Sequence, residues 1–113
     1  MTKIYHNPRC SKSRQTLALL EDKNENIEII KYLDDTPTIK ELSEVIKMLQ
    51  IAPIDLVRTG ESIWKEQFKN KQLNNDELIA TMVKYPKLIE RPIVIKNGKA
   101  VLGRPPENVL DIL

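Results

Sequence analysis

The chain has 113 residues, 41% hydrophobic and 30% charged, which is the composition of a single globular domain over 1–113 and not of a disordered, fibrous or membrane protein. Lys and Arg total 18 against 16 Asp and Glu, so the net charge is only +2 and a sequence-independent nucleic-acid binder is disfavoured. A single cysteine, Cys10, excludes an internal disulfide framework and a zinc site built on several thiolates; no metal site is expected. The first residues lack an apolar run of signal-peptide length, and no segment approaches the ~18 apolar residues of a membrane span. A cytoplasmic protein, acting as a monomer away from membranes, is the expectation.

In chain order, Lys3-Ile4-Tyr5 forms a short apolar run broken by Asn7-Pro8, which predicts a strand leading into a turn. From about Ser11 to Lys23, Ser13, Leu17, Leu20 and Asn24 recur at helical spacing and predict a helix with one stripe against a sheet. Ile27 to Leu33 is rich in β-branched and aromatic residues and reads as a second strand, so the chain opens with a parallel βαβ unit. Thr38 and Glu41 form a capping box ahead of Leu42, Val45, Ile46 and Leu49. Pro53 starts a short helix over Ile54 to Val57, and Gly60 to Asn74 carries little pattern. Asn75 is expected to cap a helix through Tyr85, with Leu78, Ile79, Met82 and Val83 on its apolar face. Residues 38–86 therefore read as a helical insert. Ile93 to Ile95, Asn97-Gly98 and Ala100 to Leu102 make a hairpin with a type I′ turn, and Pro105-Pro106-Glu107 begins a terminal helix bearing Val109, Leu110 and Leu113. The order βαβ, helices, ββα predicts an α/β fold: a thioredoxin-like mixed sheet with a helical insertion in the middle of the chain.

Cys10 is either an inert apolar filler or a reactive thiol. Its neighbours favour reactivity. It falls where the first turn of a helix leaves backbone N–H groups without internal partners, beside the Ser11 and Ser13 hydroxyls and cationic Arg9, Lys12 and Arg14. The same place attracts an oxyanion. His6, four residues earlier, either points into the loop and lowers the thiol pKa when protonated or is a solvated strand-end residue. The three-residue gap from Cys10 to Arg14 excludes the CX5R cradle, and Ser13 in the fourth position excludes a dithiol cycle within the chain. Trp64 and Phe68, at helical spacing, read as core or interface residues.

Taken together, HNPRCSKSR at 6–14, LVR at 56–58, ERPIV at 90–94, GRP at 103–105 and the ending VLDIL resemble the glutaredoxin-dependent arsenate reductase family over essentially the whole chain. The resemblance implies Cys10 as nucleophile, with His6, Ser13 and Arg14 supporting its thiolate and Arg58, Arg91 and Arg104 binding the oxyanion. Guanidinium groups suit that task, since they stay charged and make paired hydrogen bonds to a tetrahedral anion. Pro92 is expected to follow a cis peptide, as the corresponding proline does in thioredoxin-like folds, although an edge-strand proline explains it equally. The implied reaction is reduction of arsenate to arsenite with electrons from glutathione as co-substrate and glutaredoxin as partner, and no bound cofactor. Two alternatives remain: a thiol oxidoreductase of another substrate, and a Spx-type redox regulator that binds RNA polymerase, against which Ser13 weighs because such regulators usually carry CxxC.

Overall fold

The computed structural model describes residues 1–113, which fall into two compact units, 1–35 with 91–113 and 36–90. In the first unit, β1 (Thr2–Tyr5), β2 (Ile27–Ile30), β3 (Ile93–Lys96) and β4 (Lys99–Leu102) form one sheet in the order β2-β1-β3-β4. β1 pairs parallel with β2, as a right-handed crossover through helix α1 (Ser11–Asp22) requires, and antiparallel with β3. Register places Ile4 beside Ile29 and Val94, and Val94 beside Val101. Ile4, Val94, Leu20 of α1 and Val109 are fully buried together, with Leu17, Leu19, Ile27, Val101 and Ile112 packed around them. Each such aliphatic side chain contributes roughly 1.5–3 kcal/mol by leaving water. This is the thioredoxin-like mixed sheet expected from the element order.

The hairpin turn is of the expected kind, with positive φ at Asn97 (52°) and Gly98 (75°). Three other details differ from the sequence reading. Strand β2 stops at Ile30 and not at Leu33, because the Lys31 carbonyl turns back to accept from the N–H groups of Asp34 and Asp35. On α1 the buried stripe is Ser13, Thr16 and Leu20; Leu17 is half-buried, and Asn24 is exposed beyond the helix with a positive φ. The terminal segment Pro106–Ile112 is a 3₁₀ helix. Its three-residue period turns Pro106, Val109 and Ile112 to the core and leaves Leu110 and Leu113 exposed, whereas an α-helix would place both leucines on the face of Val109.

The second unit is helical: α2 (Ile39–Leu49), a 3₁₀ turn at Pro53–Leu56, α3 (Ser62–Gln67), α4 (Asn75–Lys84) and a 3₁₀ turn at Pro86–Leu88. Thr38 and Glu41 form the expected capping box on α2, which turns Leu42, Val45 and Ile46 inward and leaves Leu49 half-buried. The cap of α4 is Asn74, one residue earlier than expected, because its Oδ1 accepts from the Glu77 N–H while the Glu77 carboxylate accepts from the Asn74 N–H. Helix α3 falls in the stretch that carried little pattern. Trp64 is buried there, 5.8 Å centroid to centroid from Phe68, which lies 5.8 Å from Tyr85, so this aromatic row is packing. No helix is long and apolar enough to cross a membrane.

Candidate active site

Cys10 is the N-cap residue of α1, in extended backbone conformation, and its carbonyl accepts the first helical bond from the Arg14 N–H. The loop before it is tied by two bonds to Asn7, whose carbonyl accepts from the Cys10 N–H and whose Oδ1 accepts from the Arg9 N–H. Pro8 and this Asn7 knot set where the helix begins, so the sulfur faces first-turn donors that no carbonyl can satisfy. Burial pushes the thiol up. Against it act the Ser13 N–H, the Arg91 side chain through a hydrogen bond and its charge, and the Lys12 N–H, and together they hold the pKa below the ordinary cysteine value. Cys10 is only half-buried, so its sulfur is accessible.

Two arginines from the far end of the chain meet this sulfur. Arg104 Nη1 lies 3.9 Å from Sγ and donates to the Arg91 carbonyl at 3.2 Å. The sheet explains why: β3 and β4 are joined by a two-residue turn, so the residues before one and after the other emerge at the same end. The Arg91–Pro92 and Arg104–Pro105 bonds are both cis, the first as expected and the second without a sequence signal. Gly103 is required by close approach, since a Cβ there would stand 2.5 Å from Thr16 Oγ1 and 2.9 Å from Pro92 Cγ.

His6 and Ser13, which the resemblance implied as supports of the thiolate, contact each other. His6 is 6% exposed, which removes the solvated strand-end reading. Its Nδ1 lies 2.6 Å from Ser13 Oγ, and the Asn7 N–H donates to the same hydroxyl at 3.0 Å. Burial, reinforced by the charges of Lys31 and Arg14, holds the His6 pKa below its ordinary value, so the protonated imidazole of the other reading is disfavoured. Arg14 is exposed and donates from Nη1 to the Pro8 carbonyl at 2.9 Å, bracing the loop. Arg58 belongs to the second unit. There Nη1 donates to Glu90 Oε1 at 2.8 Å, Nε lies 3.9 Å from Glu61 Oε1, and the Arg58 N–H donates to the Leu88 carbonyl. The first unit therefore gathers Cys10, Ser13, His6, Arg91 and Arg104. Thr16 and Asn108, which the sequence reading did not single out, also contact this region. Their partners are main-chain carbonyls, which leave no mark in a residue pattern.

A thioredoxin-like sheet that carries a single cysteine at a helix start, with the Arg104 guanidinium beside its sulfur, defines a thioredoxin-like protein with one thiol site. The chain belongs to the ArsC family, which it matches over residues 5–112. It is 44% identical to an arsenate reductase of Neisseria meningitidis, covering 98% of this chain and 97% of that one. An arsenate reductase of Haemophilus influenzae is 46% identical, with 97% of each chain covered. Among solved structures, arsenate reductase from Vibrio cholerae superposes with a TM-score of 0.94 at 48% identity, covering 99% of this chain and 97% of that one.

Proposed function

We propose that this chain reduces arsenate to arsenite, with Cys10 as the nucleophile. The observation that carries the reading is the approach of Arg104 Nη1 to within 3.9 Å of the only thiol sulfur, with the Arg91 carbonyl 3.2 Å from the same nitrogen. Relatives of near-equal length that are named arsenate reductases supply the substrate class. In the first step the Cys10 thiolate attacks arsenic: a sulfur–arsenic bond forms, an arsenic–oxygen bond breaks, and the oxygen leaves as water after protonation. Arsenic remains As(V). Arg91 and Arg104 hold the oxyanion and offset its charge as the thiolate approaches; the resemblance adds Arg58 as a third ligand.

Electrons come from outside the chain, because Cys10 is its only cysteine. A glutathione thiol adds to arsenic with loss of a second water. A glutaredoxin thiolate then attacks the glutathione sulfur; a disulfide forms, the arsenic–sulfur electron pair stays on arsenic, and As(V) becomes As(III). Hydrolysis of the remaining Cys10–arsenic bond releases arsenite and the free thiol. The need for reduced thiols fits a cytoplasmic site of action. The test is NADPH oxidation coupled through glutathione, glutaredoxin and glutathione reductase, with and without arsenate. Arsenate-dependent oxidation that vanishes in Cys10→Ser is expected. Oxidation indifferent to arsenate would overturn the reading, and capture of RNA polymerase alongside that result would move it to the regulator class.

A further inference from the structure

Arg104 follows Gly103, the residue type with the least intrinsic hold on its backbone, and glycine is obligatory there because Thr16 and Pro92 approach too closely for a Cβ. An arginine that must stand over a sulfur is therefore preceded by the most permissive link in the chain. The restraint comes from outside that link. The Gly103 N–H donates to the Pro92 carbonyl at 2.9 Å. Thr16 Oγ1 gives its single proton mainly to the Lys12 carbonyl at 2.8 Å, with the Gly103 carbonyl a longer neighbour at 3.4 Å. The Asn108 amide has two protons and two partners: Nδ2 donates to the Arg104 carbonyl at 3.1 Å and to the Leu102 carbonyl at 3.3 Å. Both partners are acceptors, so only the nitrogen end of the amide fits against them. Asn108 thus pins the carbonyls on either side of Gly103.

We propose that Asn108 is a positioning residue that holds Arg104 over the Cys10 sulfur. It touches neither the thiol nor an anion; it acts by fixing the peptide that carries the guanidinium. The proposal deepens the reading of Arg104 as an oxyanion-facing cation, but its test needs no arsenate. Iodoacetate and iodoacetamide alkylate the same sulfur and differ in charge, so the ratio of their rates reports the cation held beside it. Arg104→Ala is expected to lower that ratio on the order of fivefold, the effect of one unit charge near 4 Å in water. Asn108→Ala is expected to lower it about twofold to threefold, between the wild type and Arg104→Ala. Asn108→Leu, which keeps the bulk and drops both donors, should match Asn108→Ala and guards against a packing defect. In the Arg104→Ala background either Asn108 change should have no further effect. A wild-type ratio in both Asn108 variants, or an equal loss with and without Arg104, would overturn the proposal. If these ratios behave as expected while wild-type protein never turns over arsenate, the function reading fails and the role of Asn108 stands.

Discussion

The hydroxyl of Ser13 and its backbone N–H serve different partners. Oγ joins His6 Nδ1 and the Asn7 N–H, while the N–H helps to lower the Cys10 pKa. A fully buried side chain thereby fixes the turn from which the sulfur is presented, and the His6 contact is with that serine. Because burial depresses the His6 pKa, the unfolded chain binds a proton at a pH where the folded chain does not. The His6 contribution to stability is therefore complete above the unfolded value of about 6.5 and is lost as pH falls toward the folded value. Urea unfolding at pH 7.5 and pH 5 should show a larger loss of stability in the wild type than in His6→Gln, and equal losses would contradict a neutral buried imidazole. The place of Cys10 at a helix start was legible in the sequence because its signals are local: Asn7-Pro8 and the helical pattern that follows. Thr16 and Asn108 were not, since each acts on a carbonyl that is chemically the same at every residue.

At the scale of elements, sequence and structure agree where a side chain itself sets the backbone. Thr38 and Glu41 close a reciprocal capping box on α2, and Asn97-Gly98 takes up the positive φ angles that its hairpin needs. Thr38→Ala should cost about 1 kcal/mol, since the Glu41 N–H loses its acceptor while the buried face of α2 is untouched. A urea midpoint unchanged by that substitution would show that the cap adds nothing to stability. Helix α3 escaped notice for the opposite reason. Its six residues have no side-chain cap, and the aromatic packing of Trp64 and Phe68 supplies what local signals lack. The terminal segment was legible as a helix but not as a 3₁₀ helix, because Leu113 lies three residues from Leu110 and four from Val109, the spacing of an α-helical face, beside Pro106, Val109 and Ile112 at intervals of three.

Over the whole molecule, the site in the first unit draws on three stretches far apart in sequence: 6–14, 91–92 and 102–108. The sheet brings them together, since β1 delivers the loop before α1 and the β3–β4 hairpin delivers both arginines. This assembly is expected to keep Cys10 as a thiolate and to hold an oxyanion against it. The most direct measurement is the pH dependence of Cys10 alkylation by iodoacetamide, with and without arsenate. Thiolate fraction sets the rate, so a lowered pKa moves the inflection below the ordinary free-cysteine value of about 8.5. Arsenate is expected to slow alkylation at neutral pH by occupying the arginines and capturing the sulfur. An inflection at about 8.5 or above, with rates indifferent to arsenate, would contradict the account.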